Sequence, residues 1–385
     1  MSTPTPGKPD ADAFLTLVSD YHIGVYGRVE VVRARLLPGV RGTDPAVREA
    51  LRAWGGQAFV DGAHHEPEIV LVRPVGPQHD RWPLYIAMFL VTLVTTMAAG
   101  AFLQGIDPFA TDYMLNGWLP VPTRFSPGGL MQGGAFAFPF LGILLCHESG
   151  HYFAARRHRI PVSPPFFIPF PPWFSIVGTL GAFIRIKGPT VRRSELLDVA
   201  SAGPIASFLL SIPVLIWGLA LSHPVVGPVS AATPFLVPFG QEGVIRIGDG
   251  PLLHVLGMLF FPDSFGSGPI LLHPIAFAGW LGLFVTALNL MPLGQLDGGH
   301  ILYCLWAQPG QVRAARVFLI ALVPLGFFWW GWWFWGGGAV LVNRGRLQHP
   351  PVLLPNVPLD ARRRLVAWLA ILAFFLTFVP IPLSV

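Results

Sequence analysis

Cys146-His147-Glu148-Ser149-Gly150-His151 closes a long apolar run, and Arg156, Arg157 and Arg159 follow at once. A polar cluster with metal-ligand spacing thus sits at the mouth of an apolar helix. Its reading decides the fold, because ionisable groups at the end of a membrane span are costly and are kept for function.

The rest of the composition agrees with a membrane setting. Of 385 residues, 53% are hydrophobic and 12% charged, against about 25% charged in ordinary soluble domains. The mean hydropathy is +0.58 and the pI about 9.6. In such a chain the net charge of +5 belongs to loops on the cytoplasmic side. No basic stripe interleaves with aromatic residues, so nucleic acid is not an expected partner. Two cysteines, Cys146 and Cys304, rule out a disulfide framework. The polar, proline-containing start has no apolar core for a signal peptide, so the first span is expected to direct insertion itself.

The fold expected is a polytopic α-helical membrane protein. It would have about six transmembrane helices, a re-entrant β-hairpin-like loop and a small N-terminal α+β domain. Residues 1–12 read as a flexible leader. Residues 13–80 read as a small soluble domain. Arg28 to Leu36 alternates apolar with charged residues, Asp44-Pro45 opens a helix, and Glu68 to Arg73 is a second strand. About 65 residues make a marginal core, so this unit should lean on something. His64 and His65 read as a solvated loop.

Residues 81–385 form the membrane domain, with spans near 82–103, 130–155, 198–222, 270–292, 314–342 and 365–383. Between the second and third, residues 160–190 carry Pro161, Pro164, Pro165, Pro169, Pro171 and Pro172 yet are rich in Phe and Ile. Such a stretch cannot be a regular helix, and its backbone cannot face lipid. From Gly178 to Lys187 it alternates like a strand, passing through Gly181. Residues 223–268 read as a connector.

Basic residues before the first span, between the second and third, and after the fourth all fall on one side, placing the N-terminus and the motif in the cytoplasm. The tail leaves two arrangements open. Arg344, Arg346 and Arg362–Arg364 break the rule if 314–342 crosses once. They obey it if that region turns back near Gly331.

His147 and His151, four apart, fall on one helix face about 6 Å apart along the axis. They can hold one zinc ion, with Glu148 in reach of a water bound there. Chance supplies this pattern roughly 0.02 times in a chain of this composition. A third ligand is needed. Asp297, in a Gly-rich break on the same side, is the best candidate, with His300 and His158 as competitors. Asn289 is an amide inside an apolar span, suited either to a developing oxyanion or to a helix–helix hydrogen bond. Gly203 and Ser207 make a small-xxx-small pair for close helix packing.

These residues resemble the site-2 protease family of intramembrane zinc metalloproteases, peptidase family M50. The resemblance lies in His147 to His151, Gly203 to Ser207 and Asn289 to Gly298. Phe166-Phe-Ile-Pro169, Gly178 to Phe183 and Gly294 to His300 are similar to the branch with the plastid ethylene-dependent gravitropism-deficient and yellow-green proteins and their bacterial relatives. The resemblance implies one catalytic Zn2+ held by His147, His151 and Asp297, with Glu148 as general base and Asn289 assisting at the oxyanion. Gly203, Ser207, Gly178 and Gly181 would serve substrate binding or core packing, and 160–190 would be the family's membrane-re-entrant hairpin. It further implies transmembrane protein substrates, cleaved in or near their spans in a bacterial inner membrane, and an adaptor or a homo-oligomer as partner. A metal- or proton-coupled transporter and an inactive membrane scaffold are the alternatives that the same ionisable groups leave open.

Overall fold

The computed structural model describes residues 16–26, 29–54, 56–61, 68–75, 80–114, 118–225, 234–240, 243–342 and 344–384. The leader read at 1–12 and His64-His65 lie outside them.

Four strands open the chain: β1 (Val18–Tyr26), β2 (Val29–Leu36), β3 (Gln57–Asp61) and β4 (Glu68–Pro74), with α1 (Pro45–Ala53) between β2 and β3. They form an antiparallel sheet in the order β1-β2-β4-β3. Alternation sends Val32, Ala34, Ile69 and Leu71 to one face, under Val47 of α1. Val29, Val31, Val70 and Val72 point to the other, where they pack on Val191, Leu353 and Leu354 of the membrane domain. The small sheet therefore does not rely on its own core alone. Asp44 occupies the cap position of α1, but its carboxylate turns back to accept from the Arg41 amide at 2.8 Å.

The remaining chain runs α2 (Trp82–Leu103), a hairpin of β5 (Thr111–Met114) and β6 (Leu119–Pro122), and α3 (Pro127–Gln132). Then come α4 (Gly134–Arg157), β7 (Phe166–Pro169), β8 (Thr179–Phe183) and α5 (Arg193–Ala220). Next are β9 (His223–Pro224), β10 (Phe235–Phe239), β11 (Gly243–Ile247), α6 (Pro251–Phe260), β12 (Ile270–Leu271) and α7 (Pro274–Asn289). The last are α8 (Asp297–Phe328), α9 (Gly331–Val342), α10 (Ala361–Thr377) and β13 (Leu383–Ser384). Among the described residues α2, α5 and α8 are long and apolar enough to cross a membrane. The motif helix α4 is 24 residues long. The 16-residue α7 is buried almost throughout. Its rings continue a column through the bundle, Phe136–Phe277–Trp280–Phe284, with centroids 5.6 to 5.8 Å apart.

Several boundaries differ from the sequence reading. Asp297 begins α8 and does not end the preceding span, because the backbone leaves helix after Asn289 and re-enters it at Asp297. Ala307, at φ 55°, then kinks α8 just before Pro309, a residue with no amide to continue the ladder. The apolar region 314–342 is broken between Phe328 and Gly331. From Gln311, α8 runs on for roughly 25 Å. Further along, beyond α9, the chain is again beside Gln311, whose side-chain amide donates to the Leu347 carbonyl at 2.8 Å. The chain has turned back. Arg363 pairs with Asp198 at 2.7 Å, and Asp198 also holds His158 at 2.8 Å. Arg344, Arg346 and Arg362–Arg364 thus follow a segment that returns to the motif end of the bundle.

At the opposite end, β9, β10 and β11, from the stretch read as a connector, join β12 and β13, from stretches read as spans, in a five-stranded sheet, β13-β11-β10-β12-β9. Trp280 and Trp332 tie it down through indole bonds to Gly248 O (2.9 Å) and Pro380 O (2.7 Å).

The proline-rich stretch 160–190 is a two-stranded antiparallel hairpin of β7 and β8. It lies along α2 for that helix's whole length. Phe166 meets Tyr85, Phe167 meets Phe89, and Trp173 at the tip meets Phe102.

Candidate metal centre

Three side chains from two helices converge at the motif end. The i, i+4 spacing on α4 brings the two imidazoles together, with His151 Nε2 3.0 Å from His147 Nε2. The first residue of α8 supplies Asp297, whose Oδ2 is 3.4 Å from His147 Nε2 and 3.3 Å from His151 Nε2. Both histidines are buried. Four ligands placed tetrahedrally at about 2.0–2.1 Å from a zinc ion are about 3.4 Å from one another. The triangle found here is close to one face of that tetrahedron.

The hydrogen bonds behind the rings decide their tautomers. His151 Nδ1 is 2.7 Å from the Val199 carbonyl, which can only accept, so Nδ1 carries the proton. His147 Nδ1 is 3.0 Å from Ser207 Oγ. Ser207 Oγ is 2.8 Å from Thr286 Oγ1, and Thr286 donates to the Gly282 carbonyl at 2.8 Å. With Thr286 committed to that carbonyl, Ser207 donates to Thr286 or to the Pro204 carbonyl at 3.2 Å. It then accepts from His147. Both Nε2 lone pairs therefore point at one another and at a carboxylate oxygen. Three electron-rich atoms facing one point in a buried site are reconciled by a cation, and two imidazoles with one carboxylate suit zinc with a fourth position open.

Glu148, next to His147, is buried and lies against the backbone amide of Ile184, just past β8. Asn289 ends α7 with its Nδ2 3.5 Å from His147 Nε2, at the edge of the centre. Gly203 has a specific reason. A Cβ there would come within 2.2 Å of His151 Nε2, so α5 passes the ring only as glycine.

The two competitors for the third ligand turn elsewhere. His300 Nδ1 is 2.6 Å from His349 Nε2, and His158 is held by Asp198. Gly178 and Gly181 shape the hairpin, away from the imidazoles. Gly178, at φ +70°, leaves no room for a Cβ against the Thr95 carbonyl (2.2 Å), while Thr95 Oγ1 donates to the Gly178 carbonyl at 2.7 Å. Sequence reasoning took Ser207 for packing and passed over Thr286 and the Val199 carbonyl. A hydroxyl in the apolar run of α7, four residues after a glycine, was the available signal for Thr286.

The bundle and its buried triad define a class: a membrane-embedded protein with one metal centre assembled between helices. The peptidase family M50 model matches residues 135–328, half of the chain. The chain belongs to that family. It is 32% identical over 195 residues to "Probable zinc metalloprotease EGY2, chloroplastic" of Arabidopsis thaliana, covering 49% of this chain and 32% of the relative. It is 35% identical over 170 residues to "Probable zinc metalloprotease EGY1, chloroplastic" of Oryza sativa subsp. japonica, covering 43% and 27%. With the Arabidopsis thaliana EGY1 protein the identity is 35% over 168 residues, covering 43% and 28%. The chain thus spans about a third of the length of these curated relatives. No solved structure matches it significantly.

Proposed function

We propose that this chain is an intramembrane zinc metalloprotease that hydrolyses peptide bonds in or near the transmembrane segments of other membrane proteins. The observation that carries the reading is the convergence of His147, His151 and Asp297, with Glu148 beside them, inside a bundle of apolar helices. Family membership and the relatives named as zinc metalloproteases support it.

When bound there, zinc polarises the scissile carbonyl and lowers the proton affinity of the attacking water. Glu148 takes the proton from that water and returns it to the leaving amide nitrogen. Asn289 directs an amide N–H toward the carbonyl oxygen as charge gathers on it. Ser207 and the Val199 carbonyl keep the two imidazoles turned inward throughout. A substrate helix must unwind to expose its backbone, and an unwound segment can add to β8, whose end lies against Glu148.

On this reading about six segments cross the membrane and the hairpin 160–190 is re-entrant. The N-terminal sheet and the motif end face the cytoplasm. The gathering of basic residues at the motif end, including those after the α8–α9 turn, supports this orientation. The bacterial inner membrane is proposed from the sequence resemblance; the relatives named above are chloroplastic. Substrate choice would rest on the hairpin, the N-terminal sheet or an adaptor.

The test is Glu148→Gln in vesicles carrying a single-span substrate. Zinc content should stay at one ion per chain while cleavage falls about 10³-fold. Cleavage at the unmodified rate would sink the assignment of the general base.

A further inference from the structure

The N-terminal sheet has two unlike edges. β3 is five residues long and sits against the bundle, with the Gln57 side-chain amide donating to the carbonyls of His158 and Arg159 at 3.2 and 3.1 Å. β1 is nine residues long, is paired only on its β2 side among the described residues, and is exposed along almost its whole length. Tyr21, Ile23 and Val25 are 49, 51 and 65% exposed. All three share the α1 face of the sheet, since Ile23 stands opposite Val32 and Tyr21 opposite Ala34. Soluble edges of this length are normally guarded by lysine, proline or a bulge in mid-strand. This one has no lysine or proline, and its register shift is confined to Val18–Asp20 at the start.

We propose that β1 pairs with β1 of a second copy of this chain, joining two sheets into one of eight strands. Three observations favour a second copy over a strand of another protein.

The strand is self-complementary. An antiparallel register centred on Ile23 sets Ile23 against Ile23, Tyr21 against Val25, His22 against Gly24 and Asp20 against Tyr26. Apolar side chains meet on one face and no like charges oppose. With Asp20 and His22 as the only acidic or basic side chains between Val18 and Val25, the edge offers little to select a charged peptide.

The symmetry is also compatible with a bilayer. Pairing two antiparallel strands in one sheet requires a two-fold axis normal to that sheet. The sheet lies face-down on the end of the bundle, with Val29, Val31, Val70 and Val72 on Val191, Leu353 and Leu354. Contact by a face of the sheet at the motif end is compatible with that axis standing along the membrane normal. Both bundles then sit in one bilayer with the same orientation. A sheet standing upright on the bundle would have made this arrangement impossible.

Finally, confinement of both copies to one membrane removes part of the rotational and translational cost of association, so a strand pair can suffice where soluble partners need a larger face.

The full-length chain in detergent or in lipid discs gives the test. Its polypeptide mass by light scattering should be twice the 41.9 kDa of one chain, and Ile23→Lys with Val25→Lys should halve it. Ile23→Cys should form a disulfide-linked pair under mild oxidant, while the unmodified chain should not. That cross-link needs no destabilised variant. A wild-type mass of one chain, or a dimer that survives both lysines while Ile23→Cys fails to cross-link, would overturn the proposal. Zinc content and cleavage are separate measurements, so failure here is distinguishable from failure of the protease reading.

Discussion

The metal centre and the hairpin beside it are held by different forces. Around the centre, buried polar groups fix directions: Val199 holds His151, Ser207 holds His147, and Thr286 holds Ser207. Such bonds are directional and costly to leave unmade in a buried site. The hairpin is held to α2 mainly by ring contacts, Tyr85–Phe166, Phe89–Phe167 and Phe102–Trp173, with centroids 5.1 to 6.4 Å apart, and by one hydroxyl bond at Thr95. Ring contacts have preferred geometries but are far less directional than hydrogen bonds and tolerate small sliding motions. Zinc ligation tolerates errors of no more than tenths of an ångström, while on the proposed function a wall that admits an unwound chain would have to give way. The comparison teaches that polar bonds set the geometry of the centre, and the proposed function assigns the more yielding aromatic contacts to access.

The largest effect should come from disturbing the centre sterically. In Gly203→Ala the added methyl meets His151 Nε2, and the ring can turn aside only by giving up its bond to the Val199 carbonyl. Zinc affinity should fall beyond the roughly 100-fold that marks loss of an outer hydrogen-bond partner, measured by chelator competition on purified protein. If Gly203→Ala binds zinc like the wild type, the centre is softer than its bonding suggests and the contrast with the hairpin collapses.

A smaller effect is expected at Ser207→Ala, which frees His147 Nδ1 without pushing any ring. Zinc should bind roughly 10- to 100-fold more weakly, with the bundle intact by circular dichroism. Equal losses at Ser207→Ala and at Asp297→Asn would mean that the hydroxyl chain is itself required to assemble the site.

Sequence alone exposed the parts of this centre that local geometry encodes. His147 and His151 are legible because helical spacing converts directly into a shared face, and Asp297 because an ionisable group in an apolar context calls for a reason. The partners of the rings were not legible. Ser207 and Thr286 approach His147 across helix–helix contacts that no local spacing records. The turn between α8 and α9 was left undecided for a related reason. Trp329 to Trp335 carries no polar break, and only distant contacts, Gln311 with Leu347 and His300 with His349, show the chain returning. The far sheet was missed because it is assembled from strands of two to five residues, one of them at Leu383–Ser384. Pieces so short and so far apart leave no periodicity. The proline-rich stretch, by contrast, was recognisable as non-helical, since six prolines between Pro161 and Pro172 leave too few amides for a continuous helical ladder. Its length along α2 was not.

The smallest effect should come from the hairpin tip, where it most directly tests the division of labour. Trp173 packs on Phe102 and Phe109 and donates its indole N–H to Thr111 Oγ1 at 3.0 Å. Trp173→Ala removes those contacts more than two dozen residues from His147 and touches neither imidazole. Zinc affinity should be unchanged. Cleavage of a membrane substrate should change roughly 2- to 10-fold, the worth of one hydrogen bond and its accompanying contacts, and the change should appear in KM with kcat preserved. The direction is informative. A freed tip that lets the hairpin move from α2 should lower KM if the hairpin obstructs entry, and raise it if the anchored strand is the docking edge. A loss of zinc in Trp173→Ala would break the comparison outright, because the hairpin would then be part of the frame that holds the metal.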